Sequence, residues 1–195
     1  LQDRSALVAS GLDPTTMAFA PDGRLFVLEK PGRVRIVSNQ TLVSAPFLDI
    51  SSAVDNVNER GLLGIAFDPN FSSNNYLYLY YTAKSPAAHN RVSRFTANGN
   101  VVVAGSESVV IDLTNLSSAG NHNGGGLGFG GDGKLYISTG ENANGNNAQD
   151  MTNLLGKVLR LNADGTRPTD NPFFTAGNDV RSAIWCLGLR NPFTM

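Results

Sequence analysis

The chain has 195 residues, of which 41% are hydrophobic and 16% charged, with a formal net charge of −1. That is enough apolar material for a globular core and excludes a disordered chain. The mixed, near-neutral charge offers no electrostatic stripe, so neither nucleic acid nor a membrane is an expected partner. No apolar run reaches the ~20 residues of a membrane-spanning helix, and Leu1 opens the chain without a basic-then-apolar leader, as expected of a processed or excised piece.

Met17–Ala20 predicts a short strand, Pro21-Asp22-Gly23 a turn and Arg24–Val27 a second, alternating strand, with a third over Gly32–Val37. Glu29-Lys30 is expected as a surface or inter-sheet ion pair. Ile65–Asn70 repeats the opening phrase. Tyr76–Tyr81 follows it, its tyrosines alternating with Leu77 and Leu79 as a strand packed on neighbours requires, and Arg91–Phe95 closes the unit. His89, just before that last strand, has no carboxylate in its local sequence and is expected as a solvated loop residue.

The third unit runs from Leu127 to Ile137 around Gly131-Asp132-Gly133, and its last strand is Lys157–Leu161. Within it Asn142–Asp150 is rich in amides but has a single carboxylate, so it predicts a loop rather than a cation site. A fourth unit is expected to begin near Ile184. The lone cysteine, Cys186, excludes an internal disulfide or a multi-cysteine zinc site; between Trp185 and Leu187 it is expected as a buried apolar thiol. The unit boundaries fall at about 14–50, 61–112, 122–165 and 180–195 onward.

Phe19, Phe67 and Phe129 mark the same place in each unit and lie 48 and 62 residues apart. Such spacing matches or exceeds the ~40–50 residues of a propeller blade. Helical periodicity is not sustained anywhere for the ~10–12 residues of a secure helix. The fold class is therefore all-β, a β-propeller of which the chain covers about three blades and the start of a fourth. A ring takes ~4–8 blades, so the chain is expected to be one incomplete propeller domain, finished by a missing half or by another chain.

One of the two histidines, His122, lies in the turn Asn121-His122-Asn123-Gly124-Gly125-Gly126, with Glu141 nineteen residues on in Ser138-Thr139-Gly140-Glu141. Glycine makes the backbone approachable there, which suits an imidazole presented to a ligand. Pro21-Asp22-Gly23, Glu29-Lys30-Pro31-Gly32-Arg33-Val34, Glu59-Arg60-Gly61-Leu62-Leu63-Gly64, the His122 turn, Leu154–Arg160 and Gly188-Leu189-Arg190-Asn191-Pro192 occur in this order. In that order they resemble the amino-terminal half of the soluble glucose/sorbosone dehydrogenase family.

The resemblance implies a six-bladed propeller that uses pyrroloquinoline quinone, usually with Ca2+, to oxidise aldose sugars at the anomeric carbon to lactones. It places the general base at His122, imidazole being the side-chain type whose unperturbed pKa lies near working pH. Glu141 takes the position of the carboxylate that orients it, glutamate standing where the best-known members have aspartate. Arg190 and Asn191 match the pair that contacts the quinone oxygens. Glu59 falls where glucose dehydrogenase carries a glutamine near substrate, and is expected to bind substrate as an acceptor. No metal ligand is expected in this chain; the calcium ligands and further basic residues belong to the family's carboxy-terminal half, beyond residue 195. An aldose and an external electron acceptor are the implied partners, and a secreted or periplasmic setting the implied location, where Asn39, Asn70 and Asn115 would be glycosylation acceptors in a eukaryote. The alternative reading is a non-catalytic propeller binding protein or glycan, as in the hedgehog-interacting relatives, or a half-propeller structural fragment.

Overall fold

A computed structural model describes residues 7–177 and 179–195. Its first sheet holds β1 (Pro14–Phe19), β2 (Leu25–Glu29), β3 (Arg33–Ser38) and β4 (Thr41–Leu42) side by side, with β5 (Leu48–Asp49) also on β3. The second is built from β6 (Leu62–Phe67), β7 (Tyr76–Ala83), β8 (His89–Asn98) and β10 (Ser108–Asn115), with β9 (Val101–Val102) on β8 and a four-residue helix α1 (Phe71–Asn74) between β6 and β7. The third runs β11 (Gly124–Phe129), β12 (Leu135–Thr139), β13 (Lys157–Leu161) and β14 (Ile184–Leu187), with helix α2 (Gly145–Gln149) between β12 and β13. Every pairing among these strands is antiparallel. Strands joined by tight turns pair with their sequence neighbours, so each unit folds as a meander, as the turn chemistry implies.

The strand that carries the alternating tyrosines has no solvent face. Leu77, Leu79 and Tyr81 of β7 pack with Phe26, Leu28 and Ile36 of the first sheet. Tyr78 and Tyr80 pack with Leu135, Ile137 and Leu159 of the third. The second sheet is thus the middle layer of two cores, and each fully buried Leu or Phe in them contributes about 1.5–3 kcal/mol. The marker phenylalanines act at these interfaces. The Phe67 ring meets Phe26 edge-on at 5.1 Å, and Phe129 meets Tyr78 in the same way at 5.2 Å. Phe19 holds the same place on the outer flank of the first sheet and is 71% exposed.

Five expectations are corrected. The segment expected to open a fourth unit near Ile184 is β14, whose residues 184–187 pair with β13 and complete the third sheet; Cys186, on that outermost strand, is exposed rather than buried. His89 is buried in β8, not solvated: its Nε2 meets Asp112 Oδ1 at 3.1 Å and its Nδ1 the Ala87 carbonyl at 2.7 Å. A carboxylate 23 residues away reaches it because β10 pairs alongside β8. Glu29 is buried and pairs with Arg33 (3.1 Å) and Arg35 (3.8 Å) across its own sheet, not with Lys30. The Asn142–Asp150 stretch is not loop throughout, since α2 forms inside it, capped by the Asn144 side chain on the Asn146 N–H.

Candidate active site

The site residues come from connections at one end of the sheets. Glu59 precedes β6, His122 precedes β11, Glu141 follows β12, and Arg190 and Asn191 follow β14. In antiparallel sheets the entrance to a first strand and the exits of the second and fourth share an edge, so these distant positions converge.

His122 sits in the left-handed region at φ 58°, an uncommon place for a residue with a side chain. Gly124, at φ 72°, follows it. The exit of β12 presses close: a Cβ on Gly140 would lie 2.0 Å from the His122 carbonyl oxygen, so only glycine fits. This approach sets Glu141 beside the imidazole, and Nδ1 of His122 hydrogen-bonds Glu141 Oε1. Both side chains are nearly withdrawn from solvent. A carboxylate accepting at Nδ1 fixes the proton there and leaves Nε2 as the basic nitrogen. His122 and Glu141 line a cavity of about 480 Å³ with Gly145, Gln149, Leu189 and Arg190.

The turn is held from the second sheet. The His122 N–H donates to Glu59 Oε2 at 2.7 Å. The Asn123 carbonyl accepts from the Tyr80 hydroxyl at 2.6 Å and from Asn90 Nδ2 at 3.2 Å. Burial pushes the Tyr80 phenol far above the ordinary tyrosine range, so it remains a donor. Arg60 pairs with Asp55 and donates to the Ser117 and Ala119 carbonyls, tying down the approach to the turn. On the far side Lys157 is fully buried, and its ammonium donates to the Asn147, Ala148 and Leu155 carbonyls, fixing the end of α2 against the cavity. Burial lowers the Lys157 pKa.

Arg190 and Asn191 cross this end of the third sheet. The Arg190 carbonyl accepts the Glu141 N–H at 2.9 Å, and Asn191 Oδ1 accepts the Gly124 N–H at 2.9 Å. Asn191 Nδ2 is 3.5 Å from Glu59 Oε2, so Glu59 joins the His122 backbone to the Asn191 side chain. The structure thus brings His122, Glu141 and Arg190 to one cavity, and Glu59 and Asn191 to an adjoining one of about 320 Å³. A multiply anionic quinone fits this donor set in part. Arg190 is the only cation lining the larger cavity among the described residues, enough for quinone oxygens but not for several carboxylates. Those residues include no cluster of three or more histidine, cysteine or carboxylate side chains placed to hold a metal.

Sequence reasoning missed the supports, Tyr80, Asn90, Arg60 and Lys157. Arg60 and Lys157 lie inside the ordered motifs, but nothing local gives any of the four a supporting role, because each reaches a partner on another strand or loop. The one available signal was a tyrosine with a polar tip in a strand whose faces are both apolar, since a buried phenol needs an acceptor.

The sequence profile described as Glucose / Sorbosone dehydrogenase matches residues 12–195. The chain is 29% identical over 97% of its length to quinoprotein glucose dehydrogenase B of Acinetobacter calcoaceticus, of which it covers 45%. It is 34% identical over 95% of its length to the hedgehog-interacting protein of Mus musculus, covering 30% of that protein. The structure of the pyrroloquinoline-quinone-bound aldose sugar dehydrogenase of Streptomyces coelicolor superposes with a TM-score of 0.79 at 31% identity, over 94% of this chain and 53% of that one. The chain spans about half the length of its dehydrogenase relatives, and the propeller read from its repeats is the fold these neighbours share. With its ordered motifs, three antiparallel sheets and His122–Glu141 pair, the chain belongs to the glucose/sorbosone dehydrogenase family.

Proposed function

We propose that this chain carries the proton-abstracting half of a sugar dehydrogenase site, which oxidises the anomeric carbon of an aldose to the lactone. The observation that carries this reading is an imidazole bonded through Nδ1 to a buried carboxylate at the wall of a cavity. In the proposed reaction the Nε2 of His122 takes the anomeric hydroxyl proton as the C1 hydrogen leaves with its electron pair. Glu141 holds the ring in orientation and stabilises the imidazolium that forms. Pyrroloquinoline quinone, when bound, would supply the acceptor for that hydride and pass the electrons to an external acceptor. Arg190 and Asn191 would hold its carbonyl oxygens, as donors. Calcium and further cationic groups would come from outside this chain, as would sheets to cover the exposed Phe19 flank. A secreted or periplasmic setting is part of the same proposal.

The test reconstitutes the full-length protein with pyrroloquinoline quinone and calcium and follows dye reduction with aldoses. Loss of a positioned base costs about 10²–10⁴-fold in rate, so His122→Ala should lower kcat by that much with little change in quinone affinity. Wild-type turnover unaffected by His122→Ala would refute the assignment. An inert wild-type protein that nonetheless binds the quinone would favour a recognition propeller.

A further inference from the structure

The pocket beside the His122 cavity sets Glu59 and Asn191 beside groups that the catalytic reading does not use, Lys30 and Asn123. Its polar lining is Thr15, Lys30, Asn58, Glu59, Asn123 and Asn191, beside the apolar Leu63 and Phe193. Lys30 is free of its neighbour, because Glu29 is taken by Arg33 and Arg35, and its ammonium makes no hydrogen bond or ion pair among the described residues. The lysine stem lies across Gly61, where a Cβ would come within 2.8 Å of Lys30 Cγ and 2.7 Å of its carbonyl oxygen. Asn123 is 2% exposed; its Nδ2 donates to the Gly120 carbonyl, while its Oδ1 is buried without a partner among the described residues. Glu59 spends Oε2 on His122 and Asn191 and keeps Oε1 free.

We propose that Lys30 is a ligand-binding residue, and that with Glu59 and Asn123 it forms a second subsite for sugar hydroxyls remote from the reacting carbon. A hydroxyl both donates and accepts. The ammonium donates hydrogen bonds to hydroxyl lone pairs, while the free Glu59 oxygen and the Asn123 amide oxygen each accept one from a hydroxyl O–H. An anion would satisfy Lys30 but would meet two acceptors; a cation would satisfy the acceptors but meet Lys30. A neutral polyol satisfies all three groups, and a buried acceptor left unpaired is costly enough to favour it. The identity of the polyol as an aldose rests on the dehydrogenase reading above; the subsite does not.

The test is direct binding on the full-length protein, by saturation-transfer NMR and calorimetry, with glucose and gluconate as probes. Lys30→Met should weaken glucose binding at least tenfold, and Lys30→Arg should retain most of it, with melting temperatures unchanged. In the reconstituted enzyme Lys30→Met should raise KM by the same factor with kcat within twofold. Glucose binding indifferent to Lys30→Met would overturn the proposal, as would gluconate binding more tightly than glucose through Lys30. Glucose bound through Lys30 but never oxidised would sink the dehydrogenase reading and leave the subsite standing. Turnover with a KM insensitive to Lys30 would do the reverse.

Discussion

Gly140→Ala tests the geometry that brings His122 to Glu141. A Cβ at this position would stand 2.0 Å from the His122 carbonyl oxygen, 2.2 Å from its carbon and 2.8 Å from the Asn123 nitrogen. Ordinary contact begins at 3.4 Å, so the turn must retreat by about 1.4 Å, and all three neighbours are backbone atoms that cannot swing aside. Overpacking of this kind costs about 1–3 kcal/mol. In a domain of this size each kcal/mol lowers Tm by about 2–4 °C, so the expected fall is about 2–12 °C. The retreat also parts Nδ1 from Glu141, because Glu141 follows Gly140 directly while the histidine moves away. The assay is calorimetric melting together with ¹⁵N shifts of the His122 ring, which report its tautomer. Gly128→Ala is the control: it lies in the same strand pair, a Cβ there meets nothing within 4 Å, and it should leave Tm unchanged or raise it slightly. If Gly140→Ala melts with the wild type and keeps its ring shifts, the reasoning from close approach is wrong.

Lys157→Met should destabilise by about 1–3 kcal/mol in urea titrations, because the Leu155 carbonyl loses its donor while the Ala148 carbonyl keeps the Gly188 N–H. Burial raises the Tyr78 and Tyr81 phenols to about 12. The unfolded chain therefore loses those protons first, and folding stability should fall as pH rises from about 10 to about 12, with phenolate absorbance appearing in step. Asp170, bonded to Arg160, and Asp132, bonded to the Lys134 N–H and Arg160, both titrate below their ordinary value of 3.8. Their contribution is present above that value and lost as pH falls beneath it, so melts between pH 5 and pH 2 should drop below about 4, less steeply in Arg160→Met.

The strands that sequence could read are those punctuated by turn chemistry: β1 to β3 around Pro21-Asp22-Gly23, and β11 to β12 around Gly131-Asp132-Gly133. Strand β10 escaped because it lies at the outer edge of its sheet, where Ser108 and Val109 are both exposed and no alternation is enforced. Helices of four and five residues are too short to show a 3.6-residue period. His89 and Cys186 were misjudged for one reason: a residue's burial depends on which strand lies beside its own, and pairing register is a tertiary fact. The His122–Glu141 pair was legible because both residues sit in glycine-marked turns with a family pattern around them. Lys30 was hidden by its neighbour Glu29, whose true partners lie on β3.

The His122 turn also shows how a strained conformation is held by hydrogen bonds from the neighbouring sheet. A non-glycine residue in the left-handed region costs about 1–2 kcal/mol. Against this stand the charge-assisted bond from the His122 N–H to Glu59, worth about 1.5–3 kcal/mol, and neutral bonds at the His122 and Asn123 carbonyls, worth about 0.5–1.5 kcal/mol each. The bonds outweigh the strain. Most of them originate in or beside the second sheet, while Glu141 belongs to the third, so the distance between base and orienting carboxylate is set by how these two sheets pack. Tyr80 serves both purposes, its ring in the shared core and its hydroxyl on the Asn123 carbonyl. The apolar packing that stabilises the fold is therefore what holds the imidazole in register.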